Sequence, residues 1–184
     1  MNVIELIKEV KLKRKKEEKR FKKMKREEFS RVKDDKLRDA VEIWIYGKTG
    51  DIGSAMYWEK LSSLSKPCQY VITVNAVDAE INRGGFYQYY FNQSHIHTVA
   101  ADEALSAIGA HRLAEIVKIA DIIYSQMKEV IGNCQTRTKE EFAESSKNSS
   151  FSELDKEYGV ISEVEQVEKL LVAYIKQNID CFGD

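Results

Sequence analysis

The chain has 184 residues, 43% of them hydrophobic, with three cysteines, one proline and a net charge of −1. This length fits one domain with an extension and enough apolar side chains for a core. It excludes a disulfide framework, because Cys68, Cys134 and Cys181 are odd in number and form no C-x-x-C; free thiols in a reducing cytosol are expected.

No apolar run approaches the ~18 residues of a membrane span. The start, with apolar residues ahead of basic ones and Glu5 among them, lacks a secretory layout. Charge divides the chain. Residues 1–40 hold sixteen Lys/Arg and nine Asp/Glu, a net +7, and residues 41–184 hold thirteen and twenty-one, a net −8. The split predicts a basic helical extension over 1–40 and an acidic helical domain over 41–184.

Residues 2–29 read as one charged helix, with Glu9–Lys13 and Glu18–Lys22 in the favourable acid-first i,i+4 order. Its apolar content after Leu12 is only Phe21, Met24 and Phe29, so residues 8–28 are expected to pack little. Asp34 or Asp35 caps a second helix carrying Leu37, Val41, Trp44 and Ile45. Residues 47–53 read as a turn-rich break, and a short helix with Met56, Tyr57, Leu61 and Leu64 follows.

Pro67 suits a helix start. Val71, Ile72, Thr73 and Val74 are β-branched, but the stripe Tyr70, Val74, Val77 and Ile81 predicts a helix over 68–81. Gly84-Gly85 interrupts or starts a helix running to Asn92. A glycine there is expected to take a positive φ or to touch a neighbouring backbone.

Thr98 is the expected cap of a helix over 99–108, ended by Gly109. Leu113, Ile116, Val117, Ala120, Ile123, Tyr124 and Met127 mark a core helix closed by Gly132-Asn133. Residues 145–150 read as a polar loop. A last helix over about 162–179 is expected to bury Val164, Val167, Leu170, Leu171, Tyr174 and Ile175. The sum is an all-α, multi-helix bundle with a projecting basic N-terminal helix.

No catalytic, metal or cofactor set emerges. Gly47-Lys48-Thr49 ends like a phosphate-binding loop, but Glu42 stands where that motif needs its first glycine. His95 and His97 share no helical face; in a loop they could meet one ion with His111 or Asp102, and no ligand spacing supports that. Cys68 sits at a helix start, where a thiolate is stabilised, yet a structural cysteine is the expected reading.

Two features carry the functional reading. The first is Asn82-Arg83-Gly84-Gly85-Phe86-Tyr87-Gln88-Tyr89-Tyr90-Phe91-Asn92. On a helix, Gly84, Gln88 and Asn92 share one face, either as amides capping a core edge or as a recognition surface rimmed by tyrosines such as Tyr90. The candidate contact residues are Asn82, Arg83, Gly84, Gly85, Phe86, Gln88, Tyr90 and Asn92. The second is segment 138–168, a net −6, whose candidate surface acids are Glu140, Glu141, Glu144, Glu163, Glu165 and Glu168.

Glu80-Ile81-Asn82-Arg83-Gly84-Gly85-Phe86-x-Gln88-Tyr89-Tyr90-x-Asn92 resembles the signature of the DNA-mimic protein C-terminal-domain-like family, an all-helical bacterial domain. Ala104-Leu105-x-x-Ile108-Gly109-Ala110, Leu154-Asp155-x-x-Tyr158 and Tyr174-Ile175-x-x-Asn178-x-Asp180-x-Phe182 resemble its later blocks. The family's asparagine before Gly-Gly is Arg83 here, with Asn82 one place earlier.

The resemblance implies a non-enzymatic protein-interaction domain, a DNA mimic whose acidic surface engages a basic DNA-binding regulator. Two alternatives stand beside it. The basic helix over 8–28 could bind nucleic acid or an anionic membrane, or the Gly-Gly-aromatic stretch could line the pocket of an enzyme.

Overall fold

The computed structural model describes residues 2–50, 52–92, 96–132 and 138–183. Among them it has ten α-helices and two 3-10 turns, and no strand. His95 of the histidine pair, Cys134, Asn133 and Asp51 lie outside the described residues. The fold is all-α, and no described helix is long and apolar enough to cross a membrane. Two compact units are present, Met1–Cys68 with Val172–Asp184, and Gln69–Leu171.

The first unit holds α1 (Val3–Phe21), α2 (Arg26–Phe29), α3 (Asp34–Thr49) and α4 (Tyr57–Ser63). The single helix expected over 2–29 is broken. Lys23 and Met24 donate to Arg20 and Phe21 carbonyls in tight i+3 turns, and the Lys25 N–H is held by Glu28 Oε2 at 2.9 Å. The break turns apolar side chains into the core: Phe21, Met24 and Phe29 are 4%, 0% and 1% exposed. Little packing over 8–28 therefore holds for the outer turns of α1 and fails from Phe21 onward. Phe29 meets Trp44 edge to face at 6.2 Å.

In α3, Leu37, Val41, Trp44 and Ile45 are all buried, as their spacing requires. Lys33 holds the N-cap position instead of an aspartate; Asp34 and Asp35 sit in the first turn, where they favour the helix dipole. The helix runs through Gly47 to Thr49, and the turn begins only at Gly50, whose φ is +82°. Met56 precedes α4 and is half exposed, whereas Tyr57 and Leu61 are buried.

The second unit takes most of α5 (Lys66–Phe91), then α6 (Ala101–Ala107), α7 (His111–Gly132), α8 (Lys139–Ser145), α9 (Ser152–Glu165) and the first turn of α10 (Val167–Gln177). Helix α5 spans the β-branched run: Val71, Ile72, Thr73, Val74 and Asn75 are all buried. Burial on nearly every side overrides the weak strand preference of these side chains. Ala100, not Thr98, holds the N-cap position of α6. Gly109, with φ +92°, lets the chain turn into α7, which packs on α6 and α9.

The expected closing helix is two. Gln166 takes a left-handed conformation, φ 54° and ψ 56°, and separates α9 from α10. Val164 is consequently 61% exposed rather than buried, while Val167 and Leu171 are in the core. The expected loop over 145–150 contains the end of α8 and a 3-10 turn, Ser146–Asn148, before Phe151 enters the core.

Candidate functional site

The Gly-Gly pair breaks α5 into two arms. Gly84 has φ −161° and ψ 20°, and Gly85 has φ 75° and ψ −178°, so the helical hydrogen-bond ladder stops and restarts. Restarting leaves the Phe86 N–H without an intrahelical acceptor. Asp155 on α9 supplies one, its Oδ1 accepting from Phe86 N at 2.7 Å. A Cβ on Gly85 would stand 2.6 Å from Asp155 Oδ2, so the carboxylate occupies the room that a side chain would need. Burial pushes the Asp155 carboxyl above its ordinary value, and the Phe86 N–H partly offsets that.

The amides of the signature turn toward an acid at its start. Gln88 Nε2 and Asn92 Nδ2 both donate to Glu80 Oε2 at 2.9 Å, and Arg83 pairs with Glu80 Oε1 at 3.7 Å. A Cβ on Gly84 would collide with Gln88 Oε1. The glycine thus admits the glutamine that bridges the two arms. Asn82 lies outside this set and donates to Asp78 Oδ1 at 2.8 Å.

The aromatics lie inward. Phe86, Tyr87, Tyr89, Tyr90 and Phe91 are all at most 3% exposed. Phe86 meets Tyr158 edge to face at 5.7 Å and Phe151 at 6.0 Å. Tyr90 stacks on Tyr124 at 4.2 Å and donates to Asp121 Oδ1 at 2.7 Å. Burial raises the Tyr90 hydroxyl and the Asp121 carboxyl alike. Of the candidate contact residues, Asn82, Arg83, Gly84 and Asn92 are exposed and Gln88 is half-buried, whereas Gly85, Phe86 and Tyr90 are buried.

The acids of 138–168 divide by role. Glu140, Glu144, Glu163 and Glu168 are exposed, and Glu141 is half-buried. Glu144 pairs with Lys147. Glu165 accepts the Arg112 N–H at 3.0 Å and the Leu113 N–H at 3.2 Å, so it caps the N-terminus of α7. In the first unit, burial pushes the Cys68 thiol up to about 11. The thiol therefore stays protonated, and its Sγ lies 3.6 Å from the Cys181 carbonyl.

Sequence reasoning missed the roles of Asp155, Glu80 and Asp121. Two of these lie within recognisable sequence segments: Glu80 opens the stretch that runs through Gly84-Gly85, and Asp155 belongs to Leu154-Asp155-x-x-Tyr158. The two segments meet in the structure, because Asp155 and Tyr158 both contact Phe86.

No curated protein and no solved structure matches the chain. The family model described as DMP19-like protein matches residues 62–178, more than half of the chain and inclusive of the Gly-Gly kink and its Asp155 partner. The chain belongs to the DMP19-like protein family.

Proposed function

We propose that this protein is a non-enzymatic, DNA-mimic-type interaction protein whose acidic segment 138–168 engages a basic, DNA-binding protein. The observation that carries the reading is the exposure of Glu140, Glu144, Glu163 and Glu168 on α8, α9 and the first turn of α10, all within the unit Gln69–Leu171. Membership of a family of DNA-mimic type supports it. Such carboxylates imitate phosphates over a short stretch and steer a basic surface by long-range attraction. A cytosolic setting suits the free thiols of Cys68 and Cys181.

The test is competition. In gel shifts of basic DNA-binding regulators on their duplexes, the full chain should release the duplex, and less so as salt rises, since exposed charges are screened over ~8–10 Å. Reversing Glu140, Glu144, Glu163 and Glu168 to lysine should abolish release with helicity intact. Equal competition by the reversed variant would overturn the reading. Glu165 and Asp155 stay unchanged in this variant, because both hold backbone N–H groups.

A further inference from the structure

Helix α1 sorts its charges by face. At about 100° per residue, Lys8, Lys11, Lys15 and Lys19 fall within a sector of about 80°. All four are exposed, and none pairs with a carboxylate among the described residues. The acids are engaged elsewhere: Glu9 holds Lys13 at 2.9 Å, and Glu18 holds Arg14 at 3.3 Å instead of the expected Lys22. Lys13, Arg14, Glu17 and Glu18 line a groove with Asp39 and Glu42 of α3. Glu17 lies on the groove side, whereas Glu18 borders the row, on a surface shared with Lys8, Lys11, Leu12 and Lys15, and is held there by Arg14; the row keeps a cationic excess.

We infer that this lysine row binds the phosphate backbone of duplex DNA. The four lysines run about 16 Å along the helix at ~1.5 Å per residue, against a duplex bearing one charge per ~1.7 Å. Single-stranded nucleic acid is disfavoured because binding it without sequence preference needs aromatic platforms. The one aromatic residue of α1, Phe21, is 4% exposed. A membrane is disfavoured because, of the exposed apolar residues described on α1, Leu12 alone lies beside the lysines; Ile7 lies off the edge of the row, and Leu6 and Val10 sit on the opposite side of the helix. A bilayer could not take up those apolar groups and meet the row at once. Contact with phosphates alone carries no base readout, so binding is independent of sequence. The inference does not rest on the acidic-surface reading.

The experiment is a salt titration of the full chain on a short, fluorescent, random-sequence DNA duplex. Four phosphate contacts predict a slope of log K against log salt of about −3.6. Lys15→Ala with Lys19→Ala should reduce the slope by about 1.8 and weaken binding to all duplexes alike. Lys13→Ala with Lys36→Ala removes the same charge from the groove side and should leave the slope nearly unchanged. Alanine at exposed helical positions preserves α1 and α3, which circular dichroism would verify. Equal losses from the two pairs, no duplex binding by the full chain, or binding to phosphatidylserine vesicles in place of DNA would each overturn the inference. A chain that binds duplex can itself strip it from a regulator, so competition by the acids is measured in the Lys15→Ala, Lys19→Ala background, where duplex binding by the row is weakened, and the two readings fail separately.

Discussion

Asp155 accepts the backbone N–H of Phe86 at 2.7 Å across 69 positions of sequence, and so caps the second arm of α5 from another helix. The kink in α5 and α9 are therefore coupled through this contact. Asp155→Ala leaves the N–H buried without an acceptor and should cost about 1–3 kcal/mol in urea unfolding. Asp155→Asn keeps an acceptor oxygen and should recover most of that loss. Equal losses in the two variants would show that the cap contributes nothing specific.

The same carboxyl predicts a pH dependence. Its folded pKa lies above the ordinary 3.8, chiefly through burial. The folded state then holds the proton more tightly than the unfolded chain. That contribution is complete below the unfolded value and is lost as pH rises through the folded one. Stability relative to Asp155→Asn should therefore fall as pH rises above about 4. Parallel thermal midpoints for the two proteins across the acid range would contradict the sign.

Gly85→Ala places a side chain at φ 75°, against the Asp155 carboxylate. A residue held in such a conformation costs of order 1–3 kcal/mol, and the displaced cap adds to it. Gly84→Ala should act differently. Its φ of −161° is extended backbone open to any residue, and the collision is with the movable Gln88 side chain. Gly85→Ala should lower the thermal midpoint more than Gly84→Ala.

Glu165 tests a second cap. It accepts from both Arg112 N and Leu113 N. Glu165→Ala should destabilise by about 0.5–2 kcal/mol, as loss of an N-cap does, and Glu165→Gln by less. Calorimetry would separate them.

Truncation tests where α1 stops being a surface feature. Removing residues 1–18 deletes only exposed or half-buried described side chains and should lower the midpoint slightly. Removing residues 1–30 also takes Phe21, Met24 and Phe29 from the core, each worth about 1.5–3 kcal/mol. The longer deletion should unfold the first unit, and a native-like melt would refute the packing seen here.

Much of the fold was legible in the sequence because helical periodicity is a local signal. The stripe Leu37, Val41, Trp44 and Ile45 and the stripe through Val74, Val77 and Ile81 both mark buried faces. The breaks at Lys22–Lys25 and Gln166 were not legible. Neither contains glycine or proline, and each is forced by where neighbouring apolar residues must go. The candidate site was half legible. Glycine at positions 84 and 85 announces an unusual backbone, but the acceptor that fills the gap lies on α9, and no local pattern connects Asp155 to Phe86.

Both tryptophans, Trp44 and Trp58, fall in the unit built from Met1–Cys68 and Val172–Asp184. Trp44 is 4% exposed and Trp58 is 41% exposed. Indole emission therefore watches that unit alone, with one blue-shifted and one solvent-quenched reporter. The unit from Gln69 to Leu171, including the Gly-Gly kink, is silent at those wavelengths and visible only through tyrosine and the far-ultraviolet. Superimposable denaturation curves from the two kinds of signal would mean that the units melt as one cooperative body, and separated curves would assign an order to their loss.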